Sequence, residues 1–102
     1  MESQYLRIQV INTLDEAPTA EKLCKLFEEV GELAKGVNKT IGRKITDETP
    51  EEIRDNVLEE AADSIQCIFS ILGDYNITYQ ELSMRLNAKN DKWVQLISKK
   101  KG

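Results

Sequence analysis

The chain has 102 residues, 40% apolar and 31% charged, and this length and balance predict one soluble globular domain over 1–102. Its formal net charge of −4 argues against a binder of duplex nucleic acid. No apolar run approaches the ~18 residues that a membrane span needs. Because the chain contains no histidine, a Ser-His-Asp triad, a Cys-His pair and any His-bound metal site are excluded.

Hydrophobic periodicity predicts helices from the N-terminus onward. A short helix over Tyr5–Leu14 and a connector make up residues 1–18. A second helix is predicted from about Thr19 to Asn38, with an apolar stripe formed by Leu23, Leu26, Phe27, Val30, Leu33, Ala34 and Val37. Gly31 and Gly36 interrupt this helix, each at a cost of about 1 kcal/mol relative to Ala, so tertiary packing must support it.

A loop over Lys39–Thr49 precedes a third helix, which is predicted over Pro50–Asp74. Thr49 and Glu52 form a capping box at its start. A fourth helix is predicted to begin at Thr78, with a break near 87–91 and a frayed tail over 98–102. No segment has the pattern of a strand, so the sequence predicts an all-α four-helix bundle.

The third helix is apolar over roughly half of its circumference, which is more than one neighbouring helix covers. Its apolar residues are Ile53, Val57, Leu58, Ala61, Ala62, Ile65, Ile68, Phe69, Ile71 and Leu72. We therefore expect self-association into a homo-oligomer, most simply a two-fold dimer. The alternative is a central helix that is buried within a monomer.

The two cysteines, Cys24 and Cys67, are isolated and lie within apolar helical patterns. The first residues carry only Arg7 as a base and form no long apolar stretch, which is unlike a signal peptide. We therefore expect a cytoplasmic protein in which both thiols stay reduced.

Acidic side chains recur on the second and third helices, at Glu28, Glu29, Glu32, Glu59, Glu60 and Asp63. Residues three apart on a helix point the same way, so Glu29 pairs with Glu32 and Glu60 pairs with Asp63. On consecutive antiparallel helices the two pairs can converge, and four carboxylates would then repel one another unless they held a cation. Oxygen ligands of this kind favour Mg²⁺, Mn²⁺ or Ca²⁺.

The alternative interpretation is a solvated acidic face, because glutamate is a good helix former. Charge segregation argues against it: eight acids and one base lie within 47–63, whereas 35–44 holds four bases and no acid. An ordinary exposed helix more often pairs Glu with Lys four residues later. An acidic centre flanked by basic segments is suited to a metal ion that meets a polyphosphate.

The segment Lys25-Leu-Phe-Glu28-Glu29-Val-Gly-Glu32-Leu-Ala34, followed by Leu58-Glu-Glu60-Ala-Ala-Asp63, resembles the MazG family. This family belongs to the all-α nucleoside triphosphate pyrophosphohydrolases, which are related to the dimeric dUTPases. Its pattern is Glu-Glu-x-x-Glu, a spacer and Glu-x-x-Asp, and the spacer here has 27 residues. The resemblance covers roughly 20–97, including a basic segment over 87–93.

The resemblance implies a four-helix fold assembled as a dimer or a dimer of dimers. It implies Mg²⁺-dependent hydrolysis of an NTP or dNTP between the α and β phosphates, with Mn²⁺ as a substitute. The implied metal ligands are Glu29, Glu32, Glu60 and Asp63, with Glu28 as a further catalytic residue. The implied contacts to phosphate or sugar are Asn87, Lys89, Asn90 and Lys92.

Three further residues have two interpretations each. Trp93 either stacks on a base or, as is more usual for a lone Trp at helical spacing, packs in the core. Arg43 and Lys44 either reach phosphates from a partner subunit or belong to an ordinary surface loop. For the whole protein, the alternatives to a hydrolase are a non-catalytic oligomerisation or regulatory module and a nucleotide sensor without turnover.

Overall fold

The computed structural model describes residues 1–101, which form four helices and no strand. These are α1 (Glu2–Leu14), α2 (Thr19–Thr40), α3 (Pro50–Asp74) and α4 (Tyr79–Lys101). The all-α prediction is confirmed. The bounds of α3 are those predicted, whereas α1 begins three residues earlier and α2 ends two residues later than the periodicity indicated.

The start of α3 follows from the capping box. The Thr49 hydroxyl accepts a hydrogen bond from the Glu52 amide at 3.2 Å, and a Glu52 carboxylate oxygen accepts one from the Thr49 amide at 3.4 Å. Pro50 occupies the first turn, where its missing N–H is not needed. Local sequence therefore determines where this helix begins.

The α2–α3 hairpin is the main packed unit. Its helices are antiparallel, since the start of α2 meets the end of α3 through Lys22 and Asp74. Near the other end, a Cβ added to Gly36 would lie 2.9 Å from Val57 Cγ2, so the backbone of α2 lies close against the Val57 side chain there. Glycine at this position is required by packing, which offsets its low helix propensity.

Helix α1 crosses α3 near its C-terminal end. Tyr5 is the most buried large side chain; its ring lies edge-on to Phe69 at 4.9 Å between centroids, and its hydroxyl donates to the Ile77 carbonyl. Gln9 Nε2 donates to the Phe69 carbonyl at 2.7 Å. A Cβ at Gly73 would overlap the Gln9 amide, so this glycine allows α1 to settle against α3.

Helix α4 projects away from the rest of the chain. Its first turn packs against α1, where Tyr79 lies 5.7 Å from Tyr5 between ring centroids, but within 1–101 its backbone approaches neither α2 nor α3. The radius of gyration is 16.8 Å, compared with about 13 Å for a closely packed domain of this length. A single chain therefore forms a three-helix unit with a projecting fourth helix.

The break predicted near 87–91 in α4 is wrong, since α4 continues through this segment. The segment contains neither Gly nor Pro, and nothing in it stops a helix. Residues 98–101 are helical, while Gly102 lies outside the described residues. Both cysteines are free, with Cys24 exposed and Cys67 buried. None of the helices within 1–101 combines the length and apolarity needed to cross a membrane.

Candidate metal centre

Three of the four predicted metal ligands lie together between α2 and α3. One carboxylate oxygen from each of Glu29, Glu60 and Asp63 lies within 4.8 Å of the others, and all three residues are half-buried. Glu60 and Asp63 point the same way because they are three apart on α3, and the antiparallel α2 places Glu29 opposite them. The convergence expected from spacing is therefore present for these three residues, which we call the acidic cluster.

Within the acidic cluster, the neighbouring acids and burial disfavour the ionised form of Glu60. A hydrogen bond with Glu29, then burial, then the charges of Glu29, Asp63 and Glu32 raise the pKa of Glu60 to about 7. The same hydrogen bond lowers the pKa of Glu29, with Asp63 and Lys25 acting in the same direction and burial opposing them. The site therefore favours one shared proton over a full set of negative charges.

One oxygen of the cluster has no partner. Glu60 Oε2 is buried and makes no hydrogen bond with any group in residues 1–101. Lys25 Nζ lies 3.4 Å from Glu29 and is largely exposed, so it compensates only part of the charge. A buried carboxylate oxygen without a donor is costly, and a cation between the three carboxylates would satisfy it.

The cluster leaves out the other two predicted acids. Glu32 is exposed and pairs with Lys35 at 3.0 Å, although its charge still contributes to the raised pKa of Glu60. Glu28 is also exposed and lies beside a shallow depression on another side of α2. Successive helix residues are separated by 100°, so Glu28 and Glu29 cannot both face α3.

The predicted phosphate contacts are not brought to the acidic cluster within one chain. They are exposed on α4, which does not approach α2 or α3, and they comprise Asn87, Lys89, Asn90 and Lys92. Arg43 and Lys44 are exposed in the loop 41–49. The core interpretation of Trp93 is wrong for the single chain, because its side chain is 65% exposed. Helical spacing shows that Trp93 lies on an apolar stripe but not whether that stripe is covered.

An open cavity of about 460 Å³ lies between α1 and α3 and reaches the acidic cluster at Asp63. Ile8, Ile11 and Phe69 give it apolar walls, and Arg7 and Gln66 add polar groups. The volume is within the range of small-molecule sites, about 300–1,000 Å³. The sequence alone did not indicate these residues, because they come from two helices whose crossing only the tertiary structure determines.

A polar network that the sequence did not reveal joins the first three helices. Lys22 is 8% exposed, and its ammonium donates to Asn12 Oδ1 at 2.7 Å and to both oxygens of Asp74 at 2.7 and 2.9 Å. Thr19 donates to Asp74 at 2.7 Å, and Ser70 donates to Asn12 at 2.7 Å. Every strong hydrogen-bonding group here has a partner, so the network fixes the helices relative to one another.

Comparison of the chain with protein-family models, with curated proteins and with solved structures finds no match. The acidic cluster, the cavity beside it and the motifs that supply their residues are therefore the features that indicate a function.

Proposed function

We propose that the protein is a Mg²⁺-dependent nucleoside triphosphate pyrophosphohydrolase of the MazG-like type, acting on the cytoplasmic nucleotide pool. The observation that carries the proposal is the convergence of Glu29, Glu60 and Asp63 around the unpartnered oxygen of Glu60. These are three of the four residues to which the motif resemblance assigns metal binding. The products would be a nucleoside monophosphate, from a ribo- or deoxyribonucleotide, and pyrophosphate.

The donor set supports a hard divalent cation. All three groups are carboxylates, and their oxygens lie within 4.8 Å of one another, whereas neighbouring ligands of an octahedral Mg²⁺ lie about 3 Å apart and opposite ones about 4.2 Å apart. An inward movement of the side chains by about 1–2 Å would suit Mg²⁺ or Mn²⁺. Such an ion, when bound, polarises phosphoryl oxygens and lowers the pKa of a coordinated water.

The chain's own residues supply the remaining needs of the reaction. A carboxylate of the cluster that is not fully engaged by the ion can accept a proton from the attacking water. Lys25 beside Glu29 and Arg7 in the adjoining cavity provide positive charge for the phosphates. The apolar walls of the cavity offer a place for the base and sugar next to Asp63.

The assembly forms part of the same proposal. The resemblance implies a dimer or a dimer of dimers, and Leu58 and Ile68 on α3 are exposed in the single chain, at 60% and 40%. We propose that a homo-oligomer covers this side of α3. Such an assembly is also the one in which Lys89 and Lys92 of α4 could meet substrate, since they stand apart from the acidic cluster of their own chain.

The test is product analysis across a panel of NTPs and dNTPs, with Mg²⁺ and then with EDTA. We expect pyrophosphate and monophosphate in equal amounts, lost with EDTA. We also expect a decrease of more than about 100-fold in Glu60→Gln and Asp63→Asn, since even groups behind metal ligands contribute 10- to 100-fold.

Glu21→Gln is the matched control, because Glu21 is an exposed acid on α2 outside the cluster, and it should retain activity. Inorganic phosphate as the product would contradict cleavage between the α and β phosphates. Nucleotide binding without any product would support the sensor instead, and neither binding nor product would favour a non-catalytic helical module.

A further inference from the structure

A second cavity, of about 230 Å³, lies where α1 passes over the groove between α2 and α3. It shares Ile8, Ile11 and Gln66 with the open cavity of about 460 Å³ beside Asp63, so the two adjoin. The smaller cavity is the more enclosed of the two, and side chains of three helices surround it. We call it the inner cavity, and the larger one the outer cavity.

The inner cavity continues from the acidic cluster along one side of α3. Asp63, Gln66 and Ser70 follow one another at helical spacing on this side, and the last two line the inner cavity. On α2, Lys25 lines the inner cavity and lies 3.4 Å from Glu29 of the cluster. The step from Asp63 to Ser70 is about 10 Å along the helix axis. A nucleotide with its phosphates at the cluster therefore has its base within reach of the inner cavity.

The volume of the inner cavity suits one ring better than two. A protein cavity of about 150 Å³ holds a benzene molecule, and scaling by the number of heavy atoms gives about 200 Å³ for a pyrimidine base and about 250 Å³ for a purine. At about 230 Å³, the inner cavity has room for a pyrimidine and is tight for a purine. Ile8 and Ile11 give it apolar walls that can pack against the face of a ring.

The polar network beside the inner cavity fixes which hydrogen bonds it can still offer. Lys22 donates to Asn12 Oδ1 at 2.7 Å and to the two oxygens of Asp74 at 2.7 and 2.9 Å, which uses all three of its N–H groups. The Ser70 hydroxyl donates its only hydrogen to the same Asn12 oxygen, at 2.7 Å. The Ser70 oxygen therefore keeps only lone pairs, and a ligand atom that reaches it must be a hydrogen-bond donor.

The other polar groups of the inner cavity complete a pattern of acceptors and donors. Asp15, close to the start of α2, adds a carboxylate, which only accepts. Nearer the acidic cluster, Lys25 only donates, and the amide of Gln66 can do both. Cytosine matches this order, because its exocyclic amino group donates while its ring nitrogen and its carbonyl oxygen accept. Uracil has a carbonyl oxygen in place of the amino group, and that oxygen would face the lone pairs of Ser70.

We propose that the inner cavity binds the base of the substrate and selects cytosine, so that the preferred substrates are cytidine and deoxycytidine triphosphates. Ser70 accepts a hydrogen bond from the amino group of the base, and the volume disfavours purines. The sugar then lies in the outer cavity beside Asp63. The inference rests on the proposed function for the position of the phosphates, which it places at the acidic cluster.

Pyrophosphate release from dCTP, dUTP and dATP, measured with Mg²⁺, tests this selection. We expect kcat/KM for dCTP to exceed the other two values by at least about 10-fold, because two facing acceptors leave both without a hydrogen bond and a purine is too large. Ser70→Ala removes the acceptor and should bring dCTP and dUTP to within about 3-fold of each other. Thr19→Val is the matched control, since it removes another hydrogen bond to Asp74 outside the inner cavity and should keep the preference for dCTP.

Binding of nucleosides that lack phosphates separates this inference from the proposed function. Deoxycytidine, deoxyuridine and deoxyadenosine would be titrated in EDTA while NMR follows the side-chain amide of Gln66 and the backbone amide of Ser70. We expect deoxycytidine to shift these signals at lower concentration than the other two, and Ser70→Ala to remove its advantage over deoxyuridine. Turnover without a preference for dCTP, or nucleoside shifts that are absent or equal, would overturn the inference and leave the proposed function standing. Selective deoxycytidine binding without any turnover would support the selectivity of the inner cavity and overturn the proposed function.

Discussion

Glu60 is the residue of the acidic cluster whose ionised form is disfavoured. Its pKa rises from 4.5 to about 7 on folding, so it stabilises the fold when protonated, and that contribution disappears as the pH rises through this interval. Glu60→Gln keeps a donor for Glu29 and cannot ionise. We therefore expect the metal-free Glu60→Gln protein to be more stable than the wild type above about pH 7, and less sensitive to pH between 4.5 and 7.

Urea unfolding in EDTA at about pH 5 and about pH 8 would measure this difference. Added Mg²⁺ should then stabilise the wild type and leave Glu60→Gln nearly unchanged, because only a protein that binds the ion gains from it. Equal pH dependence of the two proteins would show that Glu60 does not titrate in this range.

Asp74 is the residue on which the polar network depends. Hydrogen bonds from Lys22, then Thr19 and Asn12, keep its pKa below the usual 3.8, although burial acts against them. Its contribution to stability is therefore present above pH 3.8 and is lost as the pH falls below it. Asp74→Asn should reduce the free energy of unfolding by about 2 kcal/mol at neutral pH, below the 3–5 kcal/mol of a fully buried pair.

A double-mutant cycle with Lys22→Met measures the coupling of this pair. In the Lys22→Met background, Asp74→Asn should cost much less, because no buried ammonium is left without its carboxylate. Additive losses would mean that the two residues act separately.

At the scale of the element, two glycines of α2 differ in the space around them. A Cβ at Gly31 would meet nothing within 4 Å, whereas one at Gly36 would press on Val57. Gly31→Ala should stabilise the dilute protein by about 0.5–1 kcal/mol, and Gly36→Ala should destabilise it. Thermal unfolding of both variants at low protein concentration would test this order. Destabilisation by Gly31→Ala would indicate a neighbour outside the single chain.

The helices also show which local sequence signals are sufficient to predict where a helix begins or ends. The start of α3 was predictable because Thr49 and Glu52 satisfy free backbone groups of its first turn and Pro50 has no N–H to satisfy. The polar residues of 87–91 misled the prediction for α4, because polar side chains are normal on any exposed helix and do not end one. Spacing predicted that the acidic side chains of α2 and α3 converge, but only the packing of α2 on α3 determined that Glu29 joins Glu60 and Asp63 and that Glu32 does not.

At the scale of the whole molecule, stability is distributed unevenly. Both Thr49 and Thr78 cap helices, and Thr78 accepts from the Glu81 amide at 3.2 Å. Thr49→Ala should reduce global stability by about 1 kcal/mol, because α3 lies at the centre of the packing. In a dilute monomer, Thr78→Ala should lower helicity in α4 and leave global unfolding nearly unchanged, since α4 contributes little packing there.

Hydrogen exchange reports the stability of each helix separately and would therefore distinguish the two variants. In the dilute unmodified protein the α4 amides should exchange fastest, and at concentrations that form a homo-oligomer they should become protected. Strong protection of α4 in the monomer would contradict the uneven distribution of stability.

The sequence by itself determined the helices, the start of α3 and the acidic residues able to bind a cation, because caps, periodicity and side-chain chemistry act over a few neighbouring positions. Only the tertiary structure decided that Lys22 is buried among partners, that Glu32 is left out of the acidic cluster, and that Trp93 stays exposed. Each of these depends on which helix lies opposite, and that choice is made by the packing of the whole chain.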